Sequence, residues 1–243
     1  MVHETGHGIA AQLLGFSPRI YAFYENNPTG DARQNLTILA AGPLASLLVG
    51  AVFWMWYRRS KPRYSFGRLL LLWLALLGVM TFVNYLVVTP WLAQGDTAQF
   101  ADVLGWPAIA RYGMAAVGVA LVFALARPAA RAMFDMAPST VELDSPRARR
   151  RFIVGAFYLP LIAGIALTAL AGIGGRPFAI AYGLFGTLGN IDIVVAAMYA
   201  GAAPIRGGAR APDAPLRIEP AALLLYGALV LLYIFVIARG VPV

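Results

Sequence analysis

Six stretches of this sequence are apolar over about twenty residues or more: 35–57, 68–92, 107–126, 152–172, 177–201 and 219–240. A helix needs roughly 20 such residues to cross a hydrocarbon core of ~30 Å. In lipid, moreover, only structures that satisfy every backbone group internally are viable. The runs therefore predict an all-α integral membrane protein, a polytopic bundle of about six full transmembrane helices. Composition agrees, since 60% of the residues are hydrophobic, 12% are charged and the mean hydropathy is +0.71. That balance leaves too little polar surface for a water-soluble domain. The expected setting is the lipid bilayer of a bacterial or archaeal cell membrane.

The formal net charge of +8 raises the question of nucleic acid. The basic residues do not line one polar face, however. They fall in short loops at 58–68, 127–151 and 205–217, alternating with the basic-poor connections 93–106 and 173–176. That pattern excludes a nucleic-acid surface and fits the positive-inside rule, which places the basic loops in the cytoplasm. The run SPRARRR at 145–151 is read in the same way, as a charge cluster that fixes orientation. With no cysteine in the chain, disulfides, thiolate nucleophiles and cysteine-ligated metals are all excluded.

Against this background the start of the chain, MVHETGHGIAAQLLG, is unusual, because both histidines of the protein lie in its first seven residues. At 15 residues the segment is too short to cross the membrane. It predicts a short helix, the second part of a longer one or a piece held against the spans. His3 and His7 are four apart, so on a helix they share one face and their imidazoles can converge on one ion. Glu4 stands beside the first histidine, where a carboxylate can act as base toward a water. Two histidines and a glutamate in or near hydrocarbon are costly unless they pair or bind something.

Catalytic zinc sites use three protein ligands and leave a further position open. With no third histidine and no cysteine, the missing ligand must be a carboxylate, and two candidates stand out. Asp96 follows the helix-breaking residues Pro90 and Gly95 at the end of the second apolar run. Asp192 is the acidic residue deep inside a predicted span. Spacing alone does not choose between them.

The segment HETGHGIAAQLLGF resembles the H-E-x-G-H helix of the site-2 protease family of intramembrane zinc metalloproteases. LAAGPLASLLVGA, residues 39–51, is similar to that family's Gly-Pro-bearing next helix, and Asn84, Pro90 and Asp96 follow in the family's order. The resemblance covers about residues 1–100. It implies that His3, His7 and Asp96 bind Zn2+, with Asp192 as the alternative third ligand, and that Glu4 is the general base. The setting of the aspartate differs, Gly95-Asp96-Thr97 standing where the family has Asp-Gly. The family also places its metal near the cytoplasmic side, which would put loop 58–68 outside, against its charge.

Two parts are thus expected: a metalloprotease-like membrane core over 1–106 and additional transmembrane helices over 107–243. The predicted function is hydrolysis of peptide bonds in membrane-embedded proteins or peptides by metal-activated water. The alternative is a non-catalytic zinc-binding membrane protein, a scaffold or sensor. Residues 17–24, SPRIYAFY, partly alternate and predict either an edge strand that pairs with extended substrate or an interfacial loop. The small residues Gly42, Ala45, Ser46 and Gly50 are expected to pack the second segment against the histidine helix.

Overall fold

The computed structural model describes residues 2–20, 25–26, 30–61, 65–91, 95–137, 143, 145–171, 191–200, 219–235 and 241–242. They are mostly helical. Helix α1 (Val2–Leu13) leads to two short strands, β1 (Arg19–Ile20) and β2 (Glu25–Asn26). Long helices α2 (Ala32–Arg59), α3 (Phe66–Val88) and α5 (Ala108–Phe134) follow, with the short α4 (Asp96–Val103) between the last two. Helix α6 (Pro146–Ile153) passes through a π turn (Val154–Tyr158) into α7 (Leu159–Ala171). Beyond lie α8 (Ile191–Ala200), α9 (Pro220–Phe235) and strand β3 (Val241–Pro242).

Among the described residues, α2, α3 and α5 are long and apolar enough to cross a membrane. At 1.5 Å per residue they reach roughly 35–42 Å, more than the ~30 Å core. Residues 152–171 of the fourth expected span, 152–172, fall within the continuous helical run from α6 to α7. The fifth and sixth extend onto residues outside those described, so among the described residues three helices have the length and apolarity of spans where six were expected.

Local chemistry fixes where these helices start. Asp31 and Gln34 form a capping box on α2, the Asp31 carboxylate accepting from the Gln34 amide at 2.8 Å and Gln34 Oε1 accepting from the Asp31 amide at 2.9 Å. Ser65 caps α3 by accepting from the Arg68 amide. Helix α1 ends at Gly15, whose φ of 85° belongs to the left-handed region and lets the Phe16 amide return to the Ala11 carbonyl at 3.0 Å.

The apolar core lies between α3, α5 and the later helices, where Leu72, Met80, Met133, Ile153, Phe157 and Val194 are buried together. Helix α2 is wedged between α1 and α3, and its small residues divide accordingly. Gly42 and Ala45 face α1, Ala45 lying where a Cβ on Gly6 would fall. Ser46 and Gly50 instead meet α3, where a Cβ on Gly78 would come within 2.7 Å of Gly50 Cα and 2.9 Å of the Ser46 carbonyl. The stripe therefore serves two neighbours rather than the histidine helix alone, because residues four apart drift round the helix and a wide face must be shared.

The expected edge strand is also revised. Arg19–Ile20 is the middle of a three-stranded antiparallel sheet ordered β2-β1-β3, with Ile20 opposite Glu25 on one side and Val241 on the other. Both hydrogen-bonding edges of β1 are taken, so it is not an open edge for an extended partner.

Candidate metal centre

Three elements distant in sequence meet at the start of the chain. On α1, His3, Glu4 and His7 are all buried, His7 to 1% exposure. Buried imidazoles need partners, and these find them in α2, α3 and α4. His7 Nδ1 donates to the Ile38 carbonyl at 2.7 Å. That bond fixes the ring: with Nδ1 committed to Ile38, Nε2 is the nitrogen left to face His3 and Asp96. Pro43 lies just beyond Ile38 on α2 and removes a donor from the local helical ladder.

His3 is held by stacking instead. Its ring lies on Tyr85 of α3 with centroids 4.7 Å apart and planes 8° from parallel, and it meets the His7 ring edge-on, also at 4.7 Å. Its Nδ1 is buried and has no hydrogen-bond partner among the described residues.

Asp96 is the first residue of α4. Gly95 before it adopts a φ of 123°, a conformation that side-chain-bearing residues rarely take, and so turns the chain sharply into the helix. The register of α4 is fixed by hydroxyls. Thr97 donates to the Tyr85 carbonyl at 2.7 Å, and Thr89 lies 2.7 Å from the Thr97 hydroxyl and 2.6 Å from the same carbonyl. This clasp ties the residue after Asp96 to the end of α3, next to the tyrosine that stacks on His3.

The outcome is a compact group of three donor atoms. Asp96 Oδ2 is 2.6 Å from His3 Nε2 and 3.1 Å from His7 Nε2, and the two Nε2 atoms are 3.1 Å apart. Burial pushes the Asp96 carboxyl up, but hydrogen bonds and charge from the two histidines outweigh it and hold the group well below the usual carboxylate range. Asp96 is therefore ionised at neutral pH, as a metal ligand must be. His3, His7 and Asp96 form a group that could hold a metal ion.

Asp192 does not join this group. It lies in the first turn of α8, where its carboxylate accepts from the Ile193 amide at 2.6 Å. Several contributors escaped sequence reasoning: the Ile38 carbonyl, Tyr85, and the Thr89–Thr97 clasp. Thr97 carried a signal, since it stands beside Asp96 where the resembled family has glycine. A backbone acceptor and a stacking partner carry none.

The clasp makes a prediction. Thr97→Val removes the hydroxyl while keeping the shape, freeing the N-terminal turn of α4. Loss of partners in the outer shell of metal sites costs about 10- to 100-fold in affinity. A drop of about tenfold in metal affinity is expected, measured by competition with a chromogenic chelator, with the helical circular dichroism unchanged.

No family model matches the chain, and neither a curated protein nor a solved structure is similar to it.

Proposed function

We propose that this chain is an intramembrane zinc metallopeptidase that hydrolyses peptide bonds of membrane-embedded proteins or peptides. The observation that carries this reading is the convergence of His3, His7 and Asp96 from two ends of a 93-residue separation, with buried Glu4 next to the first. Tetrahedral zinc with bonds of ~2.0–2.1 Å sets its ligand atoms ~3.3 Å apart. The three donors stand 2.6–3.1 Å apart, so outward shifts of a few tenths of an ångström seat the ion. Two imidazoles and a carboxylate are also a donor set that catalytic zinc favours. Two helices apolar enough for a bilayer, α2 and α3, pack against the group, and the resemblance of its segments to site-2 proteases points the same way.

Zinc bound there supplies Lewis acidity, polarising a scissile carbonyl and making water ionise near neutral pH. The residues of the chain do the rest. Glu4 takes a proton from the attacking water as its oxygen bonds to the carbonyl carbon. It then gives that proton to the departing amide nitrogen as the C–N bond breaks. The Ile38 carbonyl and the Tyr85 ring keep both imidazoles in place through the cycle. The substrate must be unwound where it is cut, because a helix in lipid engages every carbonyl.

The test uses the purified chain in lipid vesicles with a fluorogenic peptide containing a hydrophobic helix with a helix-breaking residue. Cleavage is expected to require zinc, to stop on chelation and to return when zinc is restored. Zinc bound at one per chain without cleavage of any such peptide would favour the scaffold or sensor function.

A further inference from the structure

The metal group and the basic residues Arg58, Arg59 and Arg68 lie at opposite ends of the same helices. The His7 ring sits against Ile38 and Gly42, in the first half of α2, whereas Arg58 and Arg59 end that helix. Sixteen residues of helix separate Gly42 from Arg58, about 24 Å. Helix α3 runs the other way, with Arg68 in its first turn and Tyr85, which stacks on His3, near its end. Both separations approach the thickness of the hydrocarbon core, ~30 Å. The two ends therefore belong to different interfaces.

Contacts between helices show that the basic end is a single one. The Arg68 guanidinium lies 4.6 Å from the centre of the Tyr57 ring and donates to the Asp135 carbonyl at 3.2 Å. The Tyr57 hydroxyl donates to the Ala132 carbonyl at 2.8 Å. The end of α2, the start of α3 and the end of α5 are thus pinned together. Helix α6 joins them through Phe152, whose ring is 6.3 Å from that of Phe134. Arg58, Arg59, Lys61 and Arg68 therefore share an interface with Arg131 and the arginines of α6.

At the metal end basic residues are sparser: among the described residues they are Arg19, Arg33 and Arg111, the last paired with Asp102. Aromatic rings of the kind that favour headgroup depth gather there: the largely exposed Trp91 packs on Tyr112 at 5.6 Å, and Trp106 on Phe100 at 6.1 Å. The α2–α3 connection is only six residues long, 60–65, and in short loops the lysine and arginine bias governs orientation.

We infer that the metal centre faces the non-cytoplasmic side of the membrane, so that its substrates are the outward ends of membrane helices and the segments just beyond them. The nature of the substrate rests on the peptidase proposal; the side of the membrane does not. This orientation is opposite to the one implied by the resemblance to site-2 proteases.

The chain has no cysteine, so single cysteines report position without background. Gln99→Cys places an exposed thiol on α4 beside Asp96, and Lys61→Cys places one in the α2–α3 connection, leaving the neighbouring arginines intact. Leu104→Cys, exposed at the end of α4, serves should Gln99→Cys fail to accumulate. The full chain is expressed in bacterial cells with a permeabilised outer membrane and treated with a membrane-impermeant maleimide. Labelling of Gln99→Cys or Leu104→Cys at least tenfold above that of Lys61→Cys, with both equal after lysis, is the expected result. Preferential labelling of Lys61→Cys, or equal labelling of both before lysis, would overturn the inference. Zinc content and peptide cleavage of the same preparations keep the two questions apart. Outward labelling without cleavage upholds the orientation and removes the peptidase, whereas inward labelling with cleavage does the reverse.

Discussion

Glu4→Gln retains about one zinc per chain and cleaves about 10²- to 10⁴-fold more slowly than the parent, the range that a positioned general base contributes. The substitution suits the question because glutamine keeps the size and hydrogen-bonding capacity of the side chain and loses its capacity to take a proton. Glu4 is buried on α1 and lies outside the metal-binding group of His3, His7 and Asp96, so the ion should remain. Elemental analysis and initial rates on one preparation separate the two effects. A variant that holds zinc and cleaves at the parental rate would remove Glu4 as the base. One that loses zinc would show that the carboxylate supports the metal rather than the proton transfer.

Much of this site is legible in the sequence, for physical reasons that differ from residue to residue. The histidine pair is visible because helical periodicity is local: a four-residue spacing fixes a shared face whatever surrounds it. Asp96 is visible only in outline. Pro90 and Gly95 announce broken backbone, and the structure adds that Gly95 turns the chain with a φ of 123° while Thr97 locks the following helix to α3. What brings Asp96 rather than Asp192 to the histidines is tertiary packing, which pattern does not encode. The same limit governs β1. Alternation in SPRIYAFY suggests a strand, but its pairing with Val241–Pro242 joins residues more than two hundred positions apart. Of the long helices, α2, α3 and α5 follow directly from their apolar runs, whereas the π turn at Val154–Tyr158 interrupts a stretch that reads as uniform. The charge pattern and the family resemblance gave opposite orientations. The contacts of Tyr57 and Arg68 with the end of α5 join the first basic loop to the later ones.

Gly42→Ala is expected to be as damaging as loss of a ligand, although Gly42 donates nothing to a metal. Its Cα faces the His7 ring so closely that a methyl group there would collide with Nε2, and would lie 2.5 Å from Cε1 and 2.7 Å from Cδ2. Ordinary carbon contacts need about 3.5–4.0 Å, so the imidazole must retreat by an ångström or more. It is held on its other side by the Ile38 carbonyl of the same helix, and it cannot move away from α2 without breaking that bond. Misplacement of about 1 Å can cost 100-fold in rate. Because the displaced atom is itself a proposed ligand, zinc affinity should fall by at least that factor, with cleavage lost in parallel. Gly78→Ala provides the contrast. That glycine is also tightly packed, but its nearest neighbours are Gly50 and the Ser46 carbonyl rather than a histidine. Overpacking there should lower stability by about 1–3 kcal/mol, yet leave zinc per folded chain unchanged. If both variants bind zinc as the parent does, the close fit of α2 beneath His7 is not what holds the imidazole in position. If both lose it alike, the loss reflects loosening of the whole bundle rather than a cradle built for one ring.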